Sequence, residues 1–137
     1  MDRSATAVWK GGLKDGNGNV STQSGALQSV PYTFRMRFEE EPGTTPEELI
    51  AAAHSSCFSM ALSGQLEERG IHPTSIETKA TVTMQNLSVT KSHLALTVHA
   101  QGADRAKAEE AWNAAKSGCP ISKLLNCEIT LDANLKA

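Results

Sequence analysis

The stretch Pro46-Glu47-Glu48-Leu49-Ile50-Ala51-Ala52-Ala53-His54-Ser55-Ser56-Cys57-Phe58-Ser59-Met60-Ala61-Leu62 decides the fold. Thr45 precedes it with a hydroxyl suited to an N-cap, and Pro46 takes the first helical position, where a missing N–H is tolerated. Glu48 is placed to return a carboxylate in a capping box. Nothing breaks the pattern until Gly70, a natural C-terminal cap, and His72-Pro73 beyond it. The spacing therefore predicts one long helix from Pro46 to about Arg69. Small residues dominate its first half (Ala51, Ala52, Ala53, Ser55, Ser56) and allow close approach of another backbone, which is unusual for a surface helix.

The segments around this helix read as strands and shorter helices. Ala5 to Trp9 is a short strand, and Gly11 to Gly18 is dense in turn residues that open a hairpin or meander. Tyr32 to Phe38 alternates strictly, with Tyr32, Phe34, Met36 and Phe38 on one face and Thr33, Arg35 and Arg37 on the other, which predicts a half-buried strand. Ser75 to Met84 and His93 to His99 show the same period and predict an antiparallel pair joined by polar residues around Asn86 to Ser92. Asp104 to Ser117 carries a helical stripe through Ala108, Ala111 and Ala115, with Gly118 ending it. Pro120 to Leu125 restarts as a short helix capped by Cys119, and Glu128 to Leu135 is a last strand. The reading is α+β: an antiparallel sheet against one long helix and shorter ones, in a single domain over residues 1–137.

Composition narrows the function. The chain has 137 residues and a net charge of -2, with Lys and Arg scattered rather than clustered, which excludes a nucleic-acid-binding surface. Glu39-Glu40-Glu41 beside Pro42-Gly43 reads as a solvated turn. Aromatic residues make up only 4%, so the core must be mainly aliphatic. The N-terminus lacks the apolar region of a secretory signal and no run is long enough to span a bilayer, so the expected location is the cytoplasm, with no membrane partner. Three cysteines, an odd number, argue there for free or redox-active thiols rather than a disulfide framework.

Cys57, in the long helix, and Cys119, at a Cys119-Pro120 step, are the candidates for chemistry. No CxxC, HxxxH or other close ligand spacing accompanies them, so no metal or bound cofactor is expected. A thiol in mid-helix gains nothing from the helix dipole, and burial raises its pKa, so a reactive Cys57 needs a nearby cation. Arg35 or Arg37, from the polar face of the flanking strand, are the candidate cations. His54, three residues before Cys57 on the same helix face, is open to two readings: a base, or a hydrogen-bonded packing residue.

Thr45 to Leu62, together with Gly118-Cys119-Pro120-Ile121-Ser122-Lys123-Leu124-Leu125 and the ending Glu128-Ile129-Thr130-Leu131-Asp132, closely resembles the osmotically inducible OsmC branch of the OsmC/Ohr peroxidases. The likeness extends to Trp9-Lys10-Gly11-Gly12, to Ser21-Thr22-Gln23-Ser24-Gly25 and to Tyr32 through Phe38. It implies the OsmC-like fold, antiparallel sheets around a long central helix in an intertwined homodimer. It also implies Cys57 as peroxidatic cysteine, Cys119 as resolving cysteine, Arg37 as the thiolate-stabilising cation and Glu47 as the carboxylate that orients Arg37. The implied substrate is an organic hydroperoxide, reduced through a Cys57 sulfenic acid and a Cys57–Cys119 disulfide. An external dithiol, for which the family suggests a lipoylated protein, reduces that disulfide. Phe34, Phe38, Phe58 and Met60 are the apolar side chains expected to favour organic peroxides. Arg35 and Cys127 are unmatched in the family pattern.

One spacing resists the simplest picture. Glu47 and Cys57 are ten residues apart, roughly 15 Å along a straight helix and about 80° around it. A kink, a bridging Arg37, or a second subunit must close that gap, and the small residues and the family's dimer favour the last. The alternative to a peroxidase is a redox-sensing interaction module using the same cysteine pair, although no helix-turn-helix or basic surface offers an output.

Overall fold

The computed structural model describes residues 1–137, which form two compact units, Met1–Leu49 and Ile50–Ala137. In the N-terminal unit, β1 (Ala5–Lys10), β2 (Asn17–Thr22) and β3 (Val30–Tyr32) form an antiparallel meander in the order β1-β2-β3. Gly18 on β2 is the single buried residue of this unit. A Cβ there would stand 2.7 Å from the Trp9 ring and 2.9 Å from that of Tyr32, so only glycine lets the two aromatics close over the strand, with centroids 5.5 Å apart. Every residue of β1 is exposed.

The strand expected over Tyr32 to Phe38 is not one strand. It stops at Tyr32, and Phe34–Phe38 form a short helix, α1. The Thr33 hydroxyl caps it by accepting the Met36 N–H at 3.2 Å, and Arg37 N–H donates to the Thr33 carbonyl. Positions i and i+4 share a face in both a strand and a helix, so the alternation that suggested a strand also fits the observed Phe34–Phe38 ring pair at 4.9 Å. Arg35 and Arg37 therefore project from a helical turn and not from a sheet face.

Helix α2 runs from Pro46 to Glu68, close to expectation. Thr45 Oγ1 accepts the Glu48 N–H at 3.0 Å, while the Glu48 carboxylate accepts from the Thr44 hydroxyl at 3.2 Å, so the capping box is made with its reciprocal half moved one residue back. Gly70, at φ 72°, ends the helix in the left-handed conformation that glycine adopts without strain. His54, Phe58, Leu62 and Leu66 recur every four residues as its buried stripe. Ala52, Ser56, Met60 and Gly64 form an exposed one, with Met60 79% exposed.

The C-terminal unit builds its core on that stripe. β4 (Ser75–Gln85) and β5 (Ser88–His99) form an antiparallel hairpin, and Leu94, Leu96 and Val98 alternate inward from β5. The connection is only Asn86-Leu87, both at positive φ, where a longer polar loop to Ser92 was expected; the polar residues 88–92 belong to the strand. Asp104 caps α3 (Arg105–Gly118), whose Ala108, Ala111, Trp112 and Ala115 complete the core, and Cys119 caps α4 (Pro120–Leu124). The last strand, β6 (Glu128–Lys136), pairs with β5 in parallel, whereas the sheet was expected to be antiparallel throughout. The intervening helices supply the long crossover that a parallel pair requires. The architecture is α+β, with sheet order β4-β5-β6 in this unit.

Candidate active site

Two pairs of side chains carry chemistry, one in each unit. In the N-terminal unit, Arg37 Nε donates to Glu47 Oε1 at 2.9 Å. The Glu47 side chain is only 13% exposed against 40% for Arg37, so the carboxylate is the fixed member and the guanidinium the one that reaches outward. Glu47 Oε2 is buried and makes no hydrogen bond. The Arg37 guanidinium also lies 5.2 Å from the Phe38 ring centroid, a second restraint on its position. Beside it, Trp9, Leu13, Tyr32, Phe34 and Phe38 line an apolar cleft. Of the four apolar residues expected to select substrate, Phe34 and Phe38 line this cleft. Phe58 is a fully buried core residue of the C-terminal unit and Met60 is on the exposed stripe of α2. Arg35 lies 3.8 Å from Glu39 in an exposed ion pair.

In the C-terminal unit, the fold brings Cys57 of α2 and Cys119 at the cap of α4 close enough for each thiol to shift the pKa of the other, although 62 positions separate them in sequence. All three cysteines are free; Cys119 is buried, while Cys57 and Cys127 are half-buried. Burial is the largest influence on the Cys57 thiol, and the Ile121 N–H of α4 opposes it. Burial nevertheless pushes the Cys57 thiol up, and donating to Cys119 pushes it further. Burial also pushes Cys119 up, but hydrogen bonds from the Ser122 hydroxyl and N–H, the Cys57 thiol and the Ile121 N–H outweigh it. The Cys119 pKa falls below its ordinary value. Within this unit Cys119 is thus the more acidic of the two thiols, and an activated Cys57 needs the cation that the sequence called for.

His54 is fully buried and bridges two serines: Nδ1 is 2.6 Å from Ser92 Oγ and Nε2 is 2.8 Å from Ser122 Oγ. Burial lowers its pKa, so the ring is neutral. Of the two readings left open for His54, its geometry is that of a hydrogen-bonded buried residue. Its serines were missed because 38 and 68 positions separate them from it. The one sequence signal was Ser92, which falls in register with the inward series Leu94, Leu96, Val98 and so had to be buried. No group of three or more His, Cys, Asp or Glu side chains is arranged to hold a metal, and no helix is long and apolar enough to cross a membrane.

Comparison with known proteins finds similarity over most of the chain. A family model described as OsmC-like protein matches residues 38–134. Peroxiredoxin OsmC of Escherichia coli (strain K12) is 48% identical over 141 aligned residues, which cover 100% of this chain and 99% of that protein. Organic hydroperoxide resistance protein OhrB of Bacillus subtilis (strain 168) is 30% identical, with 87% of this chain and 89% of that protein covered. The OhrB crystal structure superposes with a TM-score of 0.63 at 28% identity over 97% of this chain and 98% of that one. An OsmC-like protein from Mycoplasma pneumoniae gives 0.77 at 12% identity, covering 100% and 99%, a likeness of fold alone.

Proposed function

Because this chain belongs to the OsmC-like protein family and is a peroxidase, we propose that it reduces organic hydroperoxides with Cys57 as the peroxidatic thiol and Cys119 as the resolving one. The observation that carries this reading is that two free thiols far apart in sequence lie near enough for each to shift the other's pKa. The Cys57 thiolate attacks the distal oxygen of the hydroperoxide, the O–O bond breaks, and the alkoxide leaves as alcohol after taking a proton. Cys57 is left as sulfenic acid. Cys119 then attacks the Cys57 sulfur as thiolate, the S–O bond breaks, and hydroxide leaves as water with a second proton. An external dithiol, for which a lipoylated protein is our candidate, exchanges with the disulfide, returns two thiols and is itself oxidised.

The cation for Cys57 is Arg37, held by Glu47, and it is supplied across a homodimer. Glu47 and Cys57 sit roughly 15 Å apart along one uninterrupted helix, so a carboxylate at Glu47 cannot serve that thiol directly. Two features favour a second copy. The exposed stripe of Ala52, Ser56, Met60 and Gly64 suits close helix contact, and the N-terminal unit leaves Val8, Trp9, Leu13 and Phe38 exposed. The apolar cleft beside Arg37 favours organic peroxides over hydrogen peroxide. We place the protein in the cytoplasm, where free thiols persist.

The test follows consumption of cumene hydroperoxide and hydrogen peroxide with dithiol for the wild type, Cys57→Ser and Cys119→Ser. Catalysis requires Cys57, and cumene hydroperoxide is the faster substrate. Retained turnover in Cys57→Ser overturns the mechanism.

A further inference from the structure

The buried chain from Ser92 through His54 and Ser122 ends on the sulfur of Cys119. Ser122 Oγ is 3.5 Å and Ser122 N is 3.4 Å from Cys119 Sγ. His54, Ser92 and Cys119 are fully buried and Ser122 is 7% exposed, in a unit whose core includes Phe58, Leu62 and Leu94. Four polar groups in an apolar core are costly to desolvate, and aliphatic side chains of similar volume would pack there without that penalty. We infer that His54 and Ser122 are positioning residues for the resolving half-reaction: they hold the Cys119 sulfur as the terminal acceptor of a one-way hydrogen-bond chain.

The direction follows from counting protons. A serine hydroxyl has one proton, and a neutral imidazole has one donor nitrogen and one acceptor. If Ser122 Oγ–H donates to a Cys119 thiolate, His54 Nε2–H must donate to Ser122, and Nδ1 must accept from Ser92. The tautomer is then Nε2–H. A disulfide sulfur carries no charge and is a weak acceptor, so oxidation releases the constraint. Ser122 then donates to Nε2, and Nδ1–H donates to Ser92. The chain holds the same three protons in both states; the serine hydroxyls rotate, and the imidazole gives up its Nε2 proton to water and takes one from water at Nδ1. The lowering of the Cys119 pKa accords with a donor aimed at its sulfur, and the lowering of the His54 pKa by burial accords with a ring that must accept as well as donate.

The inference rests on the assignment of Cys119 as resolving thiol, and the test separates the two. In Cys127→Ser protein, NMR of isotope-labelled histidine distinguishes ring tautomers. His54 should be the Nε2–H form when reduced and change tautomer when the Cys57–Cys119 disulfide is made with diamide, which involves no peroxide. The same tautomer in both states overturns the chain. Ser122→Ala should slow disulfide formation relative to sulfenic acid formation by about tenfold or more, the size expected when a hydrogen bond to a charged group is lost. Sulfenic acid should accumulate to dimedone trapping, and Ser122→Thr, which keeps the hydroxyl, should restore the ratio. An unchanged ratio in Ser122→Ala also overturns the inference. Failure of peroxide to form the disulfide in wild-type protein defeats the peroxidase reading instead, and the tautomer measurement still decides the chain.

Discussion

Arg37 Nε rests 2.9 Å from Glu47 Oε1, and the two residues come from different helices, α1 and the first turn of α2. The pair links the two caps that create those helices: Thr33 starts the helix that presents the guanidinium, and Thr45 starts the one that presents the carboxylate. Its value is geometric more than energetic, because an ion pair whose cation is 40% exposed stabilises a fold by only about 0–1 kcal/mol.

Glu47→Gln should therefore leave the melting temperature nearly unchanged while lowering the rate of Cys57 oxidation by about tenfold or more, as a charge-assisted hydrogen bond becomes a neutral one. Arg37→Lys should fare no better, since an ammonium cannot reproduce the guanidinium geometry. Stopped-flow measurement of sulfenic acid formation with cumene hydroperoxide decides this. A wild-type rate in both variants would remove the pair from the mechanism.

Cys119→Ser should survive a first exposure to peroxide and then fail. Without a resolving thiol the Cys57 sulfenic acid persists, and a second equivalent carries it to sulfinic acid. Mass spectrometry after stepwise additions should find the doubly oxidised form in the variant and the disulfide in the wild type. Its absence from the variant would argue that another group resolves Cys57.

Burial holds His54 below its ordinary pKa, and this has a definite sign for stability. The unfolded chain binds the proton more readily, so stability is complete above about pH 6.5 and declines as pH falls through that value toward the lower folded pKa. The decline is at most roughly 1.4 kcal/mol per pH unit. Urea denaturation of wild type and His54→Gln should give curves that converge as pH falls, and parallel curves would show that His54 contributes nothing to acid sensitivity.

Leu87 occupies the second position of the β4–β5 turn at φ 62° and is 79% exposed. A left-handed side-chain-bearing residue costs about 1–2 kcal/mol, and Asn-Gly is the preferred pair in such two-residue turns. Leu87→Gly should stabilise the chain by about 1 kcal/mol after the entropic cost of glycine is subtracted. A lower denaturation midpoint would show that Leu87 is covered in the working protein.

The exposed α2 stripe makes the last prediction. Met60→Glu should weaken self-association in sedimentation velocity and reduce peroxide turnover in step with it. A variant that remains dimeric and active would place the interface elsewhere.

Capping and periodicity made most of the architecture readable before any coordinates. Thr45, Gly70 and Cys119 all cap where their chemistry indicated. The failures have physical causes. Phe34 and Phe38 satisfy a strand and a helix equally, and the Thr33 hydroxyl decided for the helix. Alternation specifies which face of β6 is buried but not the direction in which it runs, and that was set by the crossover through α3 and α4. The two cysteines were visible as chemistry, yet the serines around His54 were not, because a hydroxyl reads as surface until the fold places it in the core.

Cys119 does two jobs with one atom: its sulfur accepts the Ser122 N–H that starts α4, and its titration is tied to that of the Cys57 thiol. Charge on that sulfur therefore tightens the first turn of a helix, and oxidation loosens it. Redox state is thus written into backbone order. In the proposed cycle the disulfide that a dithiol reduces forms where the local helix has lost this anchor, so the oxidised protein is expected to be softer at the point of its repair.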